Sequence, residues 1–225
     1  MGTKISKRLV TIAQQITGKR LLDIGCDHGK LVEYLFENEI INYAFVSDIS
    51  KPSVLKAVTL LTENGRNFDY AVADGFSAEM TDKKLDECVI SGMGGLEIIK
   101  ILNNNTTNIT SFVLQPQNNV LELKAYLAKN KFNILCNIVV KDKNIYYNVI
   151  KVQKNSSKVK ISAFDLRFGK ENFINKNYDF YLYLQYLKEK YNKICPGLPP
   201  LKKREINKEI KFVNKAIKKW EKLNG

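Results

Sequence analysis

Histidine and cysteine are scarce in this 225-residue chain. His28 is the one histidine, and Cys26, Cys88, Cys136 and Cys195 lie far apart with no C-x-x-C pair. Neither a zinc site nor a disulfide framework is signalled, so no metal is expected, and reduced thiols fit a cytoplasmic protein. Long apolar runs are missing as well. The opening Met1-Gly2-Thr3-Lys4-Ile5-Ser6-Lys7-Arg8 is broken by charge, and no segment reaches the ~20 apolar residues of a membrane span, so the chain reads as soluble, with neither a signal peptide nor a membrane helix. Acidic residues are outnumbered, 23 Asp and Glu against 36 Lys and Arg, which leaves a net charge of +13.

That charge is unevenly placed. Residues 156–225 carry 17 Lys and Arg against 7 Asp and Glu, a net +10, and residues 1–155 carry the remaining +3. A cationic face of this kind serves a polyanion, because each phosphate it neutralises releases counterions. The reading divides the chain into residues 1–155 and a basic segment, 156–225, with nucleic acid as the expected partner.

The first part alternates β-rich runs (Arg20–Ile24, Tyr43–Ser47, Phe68–Ala73, Glu87–Ser91, Ser111–Gln115, Phe132–Val140, Asn144–Val152) with helical patterns at Ile5–Ile16, Gly29–Phe36, Lys51–Leu61, Gly95–Leu102 and Asn119–Ala128. Such alternation calls for an α/β fold with a mainly parallel sheet covered on both faces. Only Lys141-Asp142-Lys143-Asn144 separates the last two runs, which predicts a hairpin and one antiparallel strand. After a polar linker, Lys154–Lys158, come two long helical patterns. Phe180, Leu184, Leu187, Tyr191 and Ile194 form one heptad seam, and Ile206, Ile210, Val213, Ile217 and Trp220 form a second. Pro196-Gly197-Leu198-Pro199-Pro200 breaks the chain between them, so a coiled-coil-like antiparallel hairpin closing within one chain, and hence a monomer, is expected. The tyrosines crowding the first of these helices are read as packing residues rather than as base-stacking ones.

The stretch Leu21-Leu22-Asp23-Ile24-Gly25-Cys26-Asp27-His28-Gly29 is an apolar strand ending in a carboxylate and opening into a glycine turn before a helix. Its spacing is G-x-x-x-G, not the dinucleotide-binding G-x-G-x-x-G. A carboxylate there disfavours a pyrophosphate and suits the positive amino group of a methionine moiety. Asp48 follows the second strand, where a carboxylate can accept from both ribose hydroxyls, and Asp74 in Ala73-Asp74-Gly75 follows the third, where it can accept from an adenine amino group. Open α/β sheets bind ligands at such strand ends.

The wording of these motifs resembles one family. Asp23-Ile24-Gly25-Cys26-Asp27-His28-Gly29, Ser91-Gly92-Met93-Gly94-Gly95 and Leu114-Gln115-Pro116-Gln117 are similar to bacterial tRNA (adenine-N1) methyltransferases that modify adenine 22 in the D arm. The resemblance spans the chain, including Arg167-Phe168-Gly169 at the entry to the helical segment. Ser91 stands where family members often have alanine, and Gln117 where they often have asparagine. The resemblance implies a Rossmann-like, seven-stranded class I methyltransferase sheet, S-adenosylmethionine as cofactor, tRNA as partner and N1-methyladenosine as product. On it, Ser91, Gly92, Met93, Gln115 and Pro116 are the candidate catalytic residues. Asp23, Gly25, Cys26, Asp27, His28, Gly29, Asp48, Ile49, Ala73, Asp74 and Gly75, again with Gly92 and Met93, are the candidate cofactor residues. A methyltransferase for another RNA or for DNA, and a non-catalytic RNA-binding protein with a degenerate methyltransferase fold, are the alternatives.

Overall fold

In the computed structural model of the protein, residues 2–155 and 161–224 are described; residues 156–158 of the expected linker lie outside them. Seven strands form one sheet in the order β3-β2-β1-β4-β5-β7-β6: β1 (Arg20–Ile24), β2 (Tyr43–Asp48), β3 (Phe68–Val72), β4 (Glu87–Met93), β5 (Ser111–Pro116), β6 (Phe132–Asp142) and β7 (Ile145–Lys154). The first five run parallel, and β7 inserts antiparallel between β5 and β6. The hairpin turn is tighter than the sequence implied: β6 continues to Asp142 and β7 starts at Ile145, with Lys143 at φ +55°.

The inner strands are apolar on both faces because helices cover both. Leu22, Ile24, Cys88, Ile90 and Phe112 point to one side, against α4 (Gly95–Asn103) and α5 (Val120–Lys129). Leu21, Ala44, Val46, Val89 and Val113 alternate to the other side, against α1 (Lys7–Ala13), α2 (Lys30–Glu37) and α3 (Lys51–Glu63). This is the period-2 pattern of a doubly covered sheet. Sheet order reverses between β1 and β4, so their carboxyl ends splay apart and open a crevice there. Among the described residues no helix is long and apolar enough to cross a membrane.

The C-terminal segment is helical: α6 (Ala163–Phe168), α7 (Glu171–Ile174), α8 (Tyr178–Ile194) and α9 (Pro200–Asn224). Its third apolar cluster joins Phe168, Phe173, Phe180, Leu184, Val213 and Ile217 to Val139 of β6. The seams of α8 and α9 meet as expected near the sheet. Toward the turn they open, Ile206 and Ile210 being half-buried and Ile194 exposed, since burial there no longer has the sheet behind it. The tyrosines pack: Tyr146 of β7 lies 5.4 Å from Tyr183 and 5.6 Å from Tyr186, and Tyr181 stacks on Trp220 at 4.4 Å.

One buried polar node ties these helices to the sheet. Lys124 of α5 is 1% exposed and donates to Asn148 Oδ1 (3.2 Å) and to the Arg167 carbonyl (3.0 Å). Burial pushes its ammonium down to about 7. Arg167 in turn grips Glu209 of α9 through two nitrogens, at 2.8 and 3.2 Å, and lies over the Phe212 ring.

Candidate active site

Three strand ends converge at the crevice. After β1 the chain turns at Gly25 (φ +80°), and the Gly25 and Cys26 N–H groups both donate to the Ser47 carbonyl of β2, at 2.8 and 3.0 Å. Asp27 (φ +48°) and Gly29 (φ +69°) complete the turn into α2. At Gly29 a side chain has no room, because a Cβ would lie 2.9 Å from the Cβ of Ala57 in α3. Both glycines of the G-x-x-x-G pattern therefore adopt the left-handed backbone that favours glycine.

Asp23 is 2% exposed at the end of β1. Burial, then the neighbouring charges of Asp48 and Asp27, push its carboxyl up to about 7. Asp48 ends β2 with Oδ1 accepting from the Ser50 N–H (2.8 Å) and Oδ2 from the Asp27 N–H (3.3 Å), which leaves lone pairs on both oxygens. His28 Nδ1 lies 2.9 Å from Asp27 Oδ1.

The third wall comes from β4. The strand runs past Ser91, where the expected run ended, to Met93, carrying a register shift between Ser91 and Met93 and a left-handed Gly92 (φ +79°). An extra residue in the ladder turns the backbone toward the crevice. Gln115 of β5, wholly buried, holds the bulge: its Oε1 accepts from the Gly92 N–H (3.2 Å) and from Arg8 Nη1, while its Nε2 donates to the Pro116 carbonyl (3.0 Å). The Gln117 N–H donates to the Met93 carbonyl at 2.8 Å.

Together these strand ends enclose a cavity of about 380 Å³. Asp23 lines it from β1, Gly25, Cys26, Asp27 and His28 from the turn that follows, Asp48 from β2, and Ser91, Gly92 and Met93 from β4. Gln115 and Pro116 lie beneath the lining, buried. Gly29 supports the turn from behind. Ile49, Ala73, Asp74 and Gly75 stand farther along the sheet edge, outside the cavity: Ile49 is 70% exposed, and Asp74 pairs at the surface with Lys100 at 3.0 Å. Leu9, Leu31 and Gln117 also line it, and so do two cationic residues that sequence reasoning did not single out, Arg8 of α1 and Lys30 of α2. Neither belongs to a motif. Arg8 enters from a helix that precedes the sheet, and only the fold brings it to the strand ends.

The sequence and the fold of this chain are met again in known proteins. Residues 21–222 match the family of tRNA (adenine(22)-N(1))-methyltransferases, TrmK. The chain belongs to this family. A protein of Mycoplasma genitalium proposed to be a tRNA methyltransferase is 31% identical over 224 residues, covering 96% of this chain and 99% of the relative. A Streptococcus pneumoniae protein proposed to be a tRNA (m1A22) methyltransferase has a crystal structure that superposes with a TM-score of 0.85 at 25% identity, over 95% of this chain and all of the other. A second structure of that protein, in complex with S-adenosyl-L-methionine, gives a TM-score of 0.82. The TrmK match runs through α8 and α9, so the helical segment is part of what the family shares.

Proposed function

We propose that this TrmK member transfers the methyl group of S-adenosylmethionine to N1 of adenine 22 in the D arm of tRNA, working as a cytoplasmic monomer. The observation that carries the reading is the cavity at the β1–β4 crevice, where the carboxylates Asp23 and Asp48 face the bulged backbone of Gly92. Its donor set fits the cofactor. Asp23 supplies a buried carboxylate for a cationic amine, Asp48 retains lone pairs for two ribose hydroxyls, and the backbone at Gly25 makes a close-approach cradle, since a Cβ there would run into the Met93 methyl. Cys26, Asp27, His28 and Gly29 shape the turn. Ile49, Ala73, Asp74 and Gly75 extend the site along the sheet edge toward the cofactor's adenine ring.

S-adenosylmethionine, when bound, supplies a methyl already activated by the sulfonium charge. The protein's task is alignment of the acceptor, which accounts for most of the acceleration in such a transfer. N1 of adenine carries a free lone pair at neutral pH, so no residue has to remove a proton. Ser91, Gly92 and Met93 form the wall nearest the incoming base, and Gln115, with Pro116, is a positioning residue that fixes Gly92. Because N1 lies on the Watson–Crick edge, the adenine must be unpaired first, at a cost of a few kcal/mol.

Residues 156–225 act in this reading as the tRNA-holding domain beside the catalytic domain, 1–155. Lys202, Lys203, Arg204, Lys208 and Lys211 are exposed along α9 and suit phosphate contacts that position rather than specify. Lys215 and Lys219 differ: both ammonium groups lie over the Phe164 ring, at 5.4 and 5.2 Å, so part of their role is packing. Incubation with labelled S-adenosylmethionine and separate pools of unmodified tRNA, ribosomal RNA and DNA tests the proposal. Label confined to tRNA supports it; label confined to either other pool replaces the substrate, and none in any pool removes the catalytic reading.

A further inference from the structure

Arg8 lines the cavity without a carboxylate paired to its guanidinium. Its backbone N–H is tied to Asp142 of β6 (3.1 Å), its guanidinium lies 5.4 Å from the centre of the Tyr147 ring of β7, and Nη1 donates to the neutral amide oxygen of Gln115. Among the described residues no carboxylate lies within ion-pair distance of that guanidinium. A half-buried arginine fixed by a ring and an amide, with its remaining N–H groups available, is a preorganised fork for an oxyanion.

Its position tells which oxyanion. The groups that fix it, Gln115, Asp142 and Tyr147, lie on β5, β6 and β7, on the far side of β4 from Asp48 and Asp23. The field at Asp23 comes from burial and from Asp48 and Asp27, whereas the charge of Arg8 is felt at Asp142. Arg8 therefore flanks the acceptor side of the bulged Gly92, not the side on which the carboxylates are suited to the cofactor. Lys7, its neighbour, pairs with Asp179 of α8 at 2.7 Å, so the short helix α1 bridges from the basic helical segment to the crevice.

Resting on the tRNA reading above, we propose that Arg8 binds a backbone phosphate of the RNA strand that carries the target adenine, and thereby seats the exposed nucleotide against Ser91-Gly92-Met93. The helix α9 lysines would hold tRNA at a distance; Arg8 would hold the one nucleotide that reacts.

The test uses the full chain with Arg8→Gln and Arg8→Lys, measuring tRNA affinity against salt, S-adenosylhomocysteine affinity by calorimetry, and KM and kcat on an unmodified tRNA transcript. Loss of one phosphate contact flattens the plot of log affinity against log salt by about 0.7–1 unit. The expected result for Arg8→Gln is that flattening, with a several-fold rise in KM for tRNA and unchanged S-adenosylhomocysteine binding, while Arg8→Lys keeps most of the slope. Intact S-adenosylhomocysteine binding also certifies that the variant is folded, and Arg8→Lys stands in if Arg8→Gln is not. Weakened S-adenosylhomocysteine binding with an unchanged tRNA slope would overturn the proposal in favour of a cofactor carboxylate. A lower kcat with an unchanged slope would overturn it in favour of a role through Gln115 alone. Wild-type protein that binds no tRNA would refute the tRNA reading itself, whatever the Arg8 variants do.

Discussion

Binding of S-adenosylhomocysteine as a function of pH probes Asp23, the most perturbed carboxyl in the cavity. Its proton is retained to about pH 7 in the free protein, against 3.8 ordinarily, a difference of ~3 units or ~4 kcal/mol. A cationic amine docked beside it needs the ionised form, so binding draws the proton off. At pH 5.5 only about 3% of Asp23 is ionised and at pH 7 about half, so affinity rises about 15-fold over that interval if the ionised form alone binds. The window lies below the ordinary α-amino range near 7.7–8.0, so the ligand stays cationic throughout. Calorimetry at pH 6.5 in two buffers of different ionisation enthalpy should register release of most of one proton. In Asp23→Asn the pH dependence disappears and affinity at pH 7.5 falls by about 10- to 150-fold, the equivalent of the ~1.5–3 kcal/mol of a charged hydrogen bond. An unchanged dissociation constant from pH 5.5 to 7, with no proton released, would refute the assignment of Asp23 to the amino group.

Three further expectations concern stability and tRNA. Lys124 keeps its proton only to about pH 7 when folded and to about 10.5 when unfolded, so stability rises with pH between those values; urea midpoints should climb from pH 7 to 10 in wild type and far less in Lys124→Met, and parallel slopes would contradict its burial as a strained cation. Gly29→Ala combines a left-handed backbone with a Cβ 2.9 Å from Ala57, whereas Gly65→Ala (φ +62°) meets nothing within 4 Å. The former should lower Tm by roughly 3–10 °C, from ~1–3 kcal/mol of strain and crowding, and the latter by clearly less; equal shifts would mean that packing on α3 adds nothing. Replacing Lys202, Lys203, Lys208 and Lys211 together by glutamine should raise KM for tRNA and flatten its salt dependence by ~0.7–0.9 per lost phosphate contact, with S-adenosylhomocysteine binding intact; an unchanged salt slope would remove α9 from the interface.

What could be read from the sequence follows from where burial is symmetric. Leu21, Leu22 and Ile24, Tyr43–Val46 and Phe112–Leu114 are apolar on both faces because helices cover both, and that continuity announces parallel core strands to within a residue or two. Helix α1 was overestimated at both ends: Ser6 caps it by accepting from the Leu9 N–H, and Gln14 closes it, although Ile16 prolongs the apolar period and is buried outside the helix. The cavity was legible where one continuous stretch supplies it, as from Asp23 to Gly29. Of the strand-end carboxylates, Asp48 lines the cavity, whereas Asp74 sits at the surface on Lys100, because β3 is the sheet edge and the crevice opens two strands away. Gln115 carried a family motif but no sign that its amide lies under Gly92. Arg8 and Lys124 left no local trace: an arginine before a leucine and a lysine in an amphipathic helix read as solvated cations until tertiary packing encloses them.

The most direct measurement is methyl transfer from labelled S-adenosylmethionine to two unmodified tRNA transcripts identical but for adenine or guanine at position 22, followed by nucleoside analysis of the product. The account predicts label only on the adenine transcript, recovered as N1-methyladenosine. Equal labelling of both transcripts, or a different methylated nucleoside, would contradict it.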